Sequence, residues 1–205
     1  MLKGKIVYLR LFESEDFEKT YQWHNDYDLM STTCGNFRFV SKEIERKWVQ
    51  SKAENNQKDI YLAICSIEND EMIGWYSISN IDHINRKCHC SGVVIGDKRY
   101  NDGFAYQEAG HLAFKYIINE LNMNRVSGTC LREHALSRAV MEASFWTLEG
   151  IERQAVYKNG TYHDICHYSI LRDEYMDHLK NGDFDSFTLS IARAVKRIRK
   201  ELKQN

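Results

Sequence analysis

Residues 92 to 116, GVVIGDKRYNDGFAYQEAGHLAFKY, carry the chain's clearest chemical signal: backbone amides presented to an anion. Gly92 to Gly96 is short, β-branched and Gly-bounded, which reads as a buried strand. Asn101-Asp102-Gly103 follows, built of residue types that tolerate positive φ, and Ala105, Ala109, Leu112, Ala113 and Tyr116 then recur at helical spacing. A helix opening on small residues aims its orphan N–H groups and positive dipole end at whatever approaches, and phosphate suits both. The spacing excludes G-x-x-x-x-G-K-[ST] and G-x-G-x-x-G, leaving Tyr100-x-x-Gly103-x-Ala105. By itself the same stretch also fits a loop and amphipathic helix with no ligand. Cys88-His89-Cys90 invites a metal, but strand alternation sends the imidazole away from both thiols, and no second pair has zinc-ligand spacing. No metal is expected.

These residues need a scaffold, and the pattern supplies one. Ile6 to Phe12 alternates as a first strand, and Ser14 caps a helix through Phe17, Tyr21 and His24 with Glu15 and Asp16 in its first turn. Ser41 caps a second helix through Ile44 and Trp48. Ile60 to Ile67 and Met72 to Ser79 flank Glu68-Asn69-Asp70-Glu71 as a hairpin, and Cys88 to Ile95 continues the antiparallel run. A helix over 104–120 follows, then a strand from Arg125 to Leu131 and a helix from Leu136 to Ser144. Arg153 to Lys158 pairs with Thr161 to Leu171 across Asn159-Gly160, the strongest hairpin signal in the chain. The sum is an α/β (α+β) fold: a mixed, mostly antiparallel sheet of about seven strands with helices on both faces, followed by a C-terminal helical extension.

Bulk properties narrow the classes. A chain of 205 residues buries roughly 70% of its unfolded surface in a single domain, without staples. Its 28 Lys+Arg balance 29 Asp+Glu, so the whole chain has no electrostatic bias toward nucleic acid or membrane. Six scattered cysteines suit reduced thiols and a cytoplasmic protein, and no apolar run approaches the ~20 residues of a membrane span. The tail differs, with six basic residues and one acidic between Arg193 and Lys203. Ile191, Val195, Ile198 and Leu202 form an apolar seam there, suited to packing on the body or on a sister subunit in a homodimer. Contact of the basic face with RNA or an acidic partner is the alternative.

The element order, with YLRLFESEDFEKTYQWHND, IGWYSISNIDHINRKCHCSGVVIG and the closing LEGIERQAVYKNGTYHDICHYSIL, resembles the GNAT superfamily of acyl-CoA-dependent N-acetyltransferases. The branch it is most similar to holds the ribosomal-protein-alanine and spermidine N-acetyltransferases. The resemblance covers about residues 5 to 172, placing an acetyltransferase domain over 1–172 and the helical extension over 173–205.

That resemblance implies a use of acetyl-CoA in which the amides of Tyr100, Asn101, Asp102, Gly103, Phe104, Ala105 and Tyr106 cradle the coenzyme A pyrophosphate. Gly103 and Ala105 match the family's Q/R-x-x-G-x-G/A, whereas Tyr100 and Asn101 depart from it. Val93, Val94 and Ile95 are implied to pair with the pantetheine arm, a backbone N–H near Val94 polarising the thioester oxygen. His134 stands where the family often has a cofactor-binding Asn, and Met141 replaces the Tyr that many members use as the acid. Ser137 matches the acid proposed in the ribosomal-protein branch, and it is also a candidate N-cap for its helix.

The two Glu positions that serve members as base correspond to Val156 and Cys90, leaving His89, His83 with Asp82, Tyr157, or ordered water. Trp23, Asp26, Tyr27, Phe37, Phe39, Tyr157 and Tyr162 would wall the acceptor side, some of them doubling as core. An amine is the expected acceptor, a protein N-terminus first, then a polyamine, an amino sugar or an aminoglycoside. The rival readings are a catalytically silent acyl-CoA-binding protein and an RNA- or ribosome-associated module.

Overall fold

The computed structural model describes residues 1–54, 56–101 and 103–203. These fall into two compact units, Met1–Ser31 with Phe37–Met123, and Thr32–Asn36 with Asn124–Asn205.

The first unit holds strands β1 (Leu2–Lys3), β2 (Val7–Leu11), β3 (Ile60–Ser66), β4 (Met72–Asp82) and β5 (Lys87–Ile95), each antiparallel to the next. Helices α1 (Phe17–His24), α2 (Tyr27–Ser31), α3 (Lys42–Glu54) and α4 (Phe104–Asn119) accompany them. Strand β3 is buried almost throughout, so it lacks the alternation of a one-sided sheet and must be covered on both faces. One face packs Ala63, Cys65 and Trp75 against Trp23 of α1 and Val49 of α3. On the other, Ile64, Tyr76 and Ile78 are buried, as are Ala109, Ala113 and Ile117 of α4.

Glu108 on α4 fastens the start of the chain. Its carboxylate accepts the Lys5 and Ile6 N–H groups at 2.7 Å and that of Val7 at 2.8 Å. Burial strengthens the hold of this carboxyl on its proton, but the three amides outweigh burial and keep it below the ordinary glutamate range. Gly4 is required beside it, because a Cβ there would lie 2.4 Å from the carboxylate carbon.

Helix α1 begins differently from its sequence reading. Residues Ser14–Asp16 form a 3-10 turn whose N-cap is Glu13 rather than Ser14. Asp16 is buried, accepting the Glu13 N–H at 2.9 Å and both Arg10 guanidinium nitrogens at 2.7 Å. Ser41 does cap α3, accepting the Ile44 N–H at 3.2 Å.

The second unit carries β6 (Arg125–Leu131), β8 (Thr161–Leu171) and β7 (Thr147–Lys158), all pairings antiparallel with β8 in the middle. Helices α5 (Ala135–Ala143), α6 (Arg172–Lys180) and α7 (Phe187–Leu202) complete it, with a 3-10 turn, Asp183–Ser186, before α7. Asn159 and Gly160, at φ 50° and 79°, form the expected tight turn with Lys158 opposite Thr161. Strand β7 starts six residues earlier than the alternation predicts, because register breaks after Leu148 and Glu152, and Gln154 at φ 52°, erase the period of two. Asp164 holds that break, accepting the Gln154 N–H at 2.9 Å and the Arg132 guanidinium at 2.9 Å. Helix α7 packs on α5, its seam residue Ile198 fully buried. The C-terminal segment holds two helices within this unit, and the apolar seam lies on the second.

Candidate active site

The anion cradle begins where β5 leaves its partner. Ile78 pairs with Cys90 but Ser77 with Gly92, so residue 91 is an extra one and the strand turns at a bulge. Beyond the bulge, the Gly96 N–H donates to Ile73 O at 2.9 Å. Antiparallel alternation then turns the amides at 92 and 94 toward β4, and those of Val93 and Ile95 toward the opposite edge. This narrows the expected amide near Val94: the Val94 N–H itself faces Trp75, and the outward amides are those flanking it.

The loop that follows is braced from within the same unit. Asp97 accepts the Arg99 N–H at 3.0 Å and also binds its guanidinium, which further reaches Glu71 at 2.6 Å. Tyr100 donates its hydroxyl to Ser66 Oγ at 2.9 Å, so its ring faces the body and only its main chain can serve a ligand. Asn101 is exposed, while Asp102 lies outside the described residues.

Gly103 adopts φ 89°, ψ −14° as the N-cap of α4, a conformation that costs an L side chain about 1–2 kcal/mol. A Cβ there would meet nothing within 4 Å, so open space lies above it. The Gln107 N–H donates to Gly103 O at 3.0 Å, and the first-turn amides of Phe104, Ala105 and Tyr106 precede that bond. Ala105 is buried and Phe104 exposed, so what these residues offer a ligand is main chain. A 16-residue helix with no side-chain cap and no acid in its first turn, opening on a glycine under free space, fits a pyrophosphate.

In the second unit, α5 opens on a histidine. His134 is its N-cap, its Nδ1 accepting the Ser137 N–H at 3.0 Å. That geometry fixes the tautomer with hydrogen on Nε2, and burial lowers the affinity of the ring for a second proton. Ser137 is therefore inside the first turn and not the cap, and among the described residues its Oγ has no hydrogen-bond partner. Arg138, the next residue, points inward and is buried.

The described sequence matches the acetyltransferase (GNAT) domain over residues 7–144. The chain belongs to the GNAT acetyltransferase family. It is similar to a Bacillus subtilis (strain 168) protein named as a ribosomal N-acetyltransferase, YdaF, at 31% identity over 51% of this chain and 56% of that one. The chain thus spans just over half of that relative's length. The N-acetyltransferase YjcK of the same organism is 27% identical over 85% of this chain and 98% of its own. Among solved structures, spermidine N-acetyltransferase from Vibrio cholerae, in complex with CoA and spermine, superposes with a TM-score of 0.74 at 20% identity, covering 83% of this chain and 98% of that one. As a GNAT enzyme the chain is an acyltransferase, and acetyl-CoA is the acetyl donor of the family.

Other expected positions divide by environment in this GNAT chain. Trp23 is buried, stacked on Trp75 at 5.9 Å, and its ring occupies the space a Gly96 side chain would take, 2.2 Å from an added Cβ. It belongs to the core. Asp26 caps α2, accepting the Leu29 N–H at 3.1 Å with Lys98 at 3.4 Å, and these contacts lower its proton affinity. Its carboxylate is already engaged.

Tyr27 and Phe39 are exposed, and both pack edge-on against Phe37. In the second unit Tyr157 and Tyr162 are exposed cross-strand neighbours 5.1 Å apart. His89 pairs with Ser79, on the strand face opposite Cys88 and Cys90. Cys90 is hydrogen-bonded to Tyr76 at 2.6 Å and burial pushes its thiol up to about 12, which removes it as a base.

Several working residues escaped the sequence reading: Glu108, His134 as a cap, and Lys158, which is buried with its Nζ on Thr33 O at 2.5 Å. That bond ties residues 32–36 to the hairpin of the second unit. Nothing local marks any of the three, since each partner lies far away or depends on where a helix starts.

Proposed function

We propose that this GNAT enzyme acetylates the N-terminal amine of a protein, by direct attack in a ternary complex with acetyl-CoA. The acetyltransferase portion is residues 1–172 and the extension 173–205. The observation that carries donor binding is the Gly103 cap: left-handed backbone, no side chain and open space at the start of α4. Bound acetyl-CoA supplies an activated thioester. Backbone N–H groups of Val93 or Ile95 meet the charge that develops on its oxygen, and the amides of 103–106 hold the pyrophosphate. Ordered water takes a proton from the acceptor ammonium and so frees the lone pair that attacks, and Ser137 Oγ gives a proton to the departing sulfur and regains one as the new amide nitrogen sheds its second.

The preference for a peptide over a polyamine rests on charge and shape. A polyamine carries several ammonium groups and calls for several unengaged carboxylates. Here Asp26 serves a cap, Glu133 pairs with His163 and Asp164 with Arg132, so that exposed Asp28 offers one carboxylate where several are needed. Exposed Tyr27 beside half-buried Phe37, and the exposed pair Tyr157–Tyr162, suit peptide side chains. A homodimer and a cytoplasmic location belong to the same proposal.

Coenzyme A release, measured with a free-N-terminus peptide, its Nα-blocked counterpart, spermidine and glucosamine, tests this reading. The free peptide is expected to have kcat/KM at least about tenfold above the rest, with the blocked peptide inert. Preference for spermidine would overturn the acceptor assignment. Coenzyme A binding without turnover on any amine would instead make the chain a silent acyl-CoA-binding protein.

A further inference from the structure

We propose that the C-terminal helix α7 belongs to the catalytic apparatus as the element that positions Ser137, acting through the Glu201–Arg138 ion pair. The inference rests on the reading of Ser137 as proton donor. Arg138 follows Ser137 in α5 and turns inward, only 6% exposed. Its Nη1 donates to Arg132 O at 3.3 Å, just beyond the end of β6, and its Nη2 to the two Glu201 oxygens at 3.3 and 3.4 Å. One guanidinium therefore joins the turn before α5, the first part of α5 and α7.

The network is a poor device for stability alone. Arg138 Nε is buried without a close hydrogen-bond partner among the described residues, and the contact between the guanidinium and the Tyr168 hydroxyl is a loose one. The Glu201 side chain is 38% exposed, and an ion pair with one partner in contact with water adds little to stability. What it provides is a fixed geometry.

A second tie, from Arg197 to Glu142, reaches α5 further along, and buried Ile198 lies between the two on α7. Helix α5 is thereby held against rotation about its axis and against sliding, and rotation would swing Ser137 Oγ away from its line of proton transfer. Arg197, 58% exposed, and Glu201 thus flank Ile198 along the edge of α7 that meets α5, while Lys196, Arg199, Lys200 and Lys203 line a separate exposed face. Glu201 touches neither substrate nor donor in this scheme and is a positioning residue.

Steady-state kinetics on the full chain, with acetyl-CoA and in turn a free-N-terminus peptide and spermidine, tests the proposal through a double-mutant cycle. The four proteins are the wild type, Glu201→Ala, Ser137→Ala and the double variant. Ser137→Ala is expected to lower kcat about 10²-fold. Glu201→Ala is expected to lower it about tenfold with the KM for acetyl-CoA unchanged, since misplacing a reacting group costs rate and leaves donor binding alone. In the double variant, removing Glu201 should add less than about twofold.

Effects that multiply in the double variant would overturn the positioning role, as would a normal kcat in Glu201→Ala when Ser137→Ala is impaired; in both results the Ser137 reading survives. A normal kcat in Ser137→Ala, or no turnover with either amine, would remove the Ser137 reading and this proposal with it. Glu201→Gln keeps the shape and loses the charge, so it carries the same cycle if the alanine variant fails to fold.

Discussion

Replacing Gly103 separates what the residue does for folding from what it does for binding. In the free protein an added Cβ meets nothing within 4 Å, so the cost of Gly103→Ala is backbone strain at φ 89°. Strain of that kind amounts to about 1–2 kcal/mol, a fall in Tm of about 2–8 °C for a chain of this size. Asn visits this region more readily, so Gly103→Asn should melt closer to the wild type. Binding follows a different logic. A phosphate oxygen must come within about 2.9 Å of the amides, where a side chain at 103 intrudes on its approach.

Losing one charge-assisted hydrogen bond costs about 1.5–3 kcal/mol, or roughly 10- to 150-fold in coenzyme A affinity. Both variants should therefore bind coenzyme A at least about tenfold more weakly by titration calorimetry, although only Ala is markedly less stable. Two results would refute this. Wild-type affinity in Gly103→Ala would mean that the phosphate does not approach here. Normal affinity in Gly103→Asn alone would mean that strain, and not access, controls the loop.

The His134 cap makes the start of α5 sensitive to acid. The folded ring binds its proton more weakly than an unfolded histidine, so the cap's contribution is fully present above pH ~6.5 and is lost as pH falls below it. His134→Asn, which keeps a capping acceptor, should flatten the dependence of Tm on pH between about 5 and 7 relative to wild type, and an unchanged slope would refute the assignment. Glu108→Gln leaves one carbonyl oxygen for the three donors of residues 5–7 and turns an NH2 toward them. A loss of about 2–3 kcal/mol in urea unfolding at unchanged m-value is expected, and a loss below 0.5 kcal/mol would show that the amides find other acceptors.

Much of the scaffold could be read in the chain, and the misses have physical causes. β6 and β8 follow from β-branched runs bounded by turn residues, and Asn159-Gly160 specifies its own turn. β7 was half visible because it is exposed along most of its length, which leaves burial no period to imprint. Helix starts went wrong by a few residues at Ser14 and Ser137, where Glu13 and His134 cap instead and cap preference alone could not choose among neighbouring polar residues.

The backbone of the candidate cradle was legible because it is local: Gly103 and α4 lie within a few residues. Trp23 looked like a pocket wall because its burial depends on a missing side chain at Gly96, which only the folded chain brings against it. The amide parity at Val94 likewise needed a register that only the folded hairpin reveals.

The distribution of thiols gives the protein a set of internal clocks. Cys65, Cys88, Cys90, Cys130 and Cys166 are all buried, on β3, β5, β6 and β8, and burial pushes Cys90 and Cys130 up to about 12. Because the thiolate is the reacting form, an excess of alkylating reagent should label these positions only as their strands open. Mass spectrometry over a labelling time course would then rank the opening rates of both units without any engineered probe. Released coenzyme A, exposed from the start, would react before all of them.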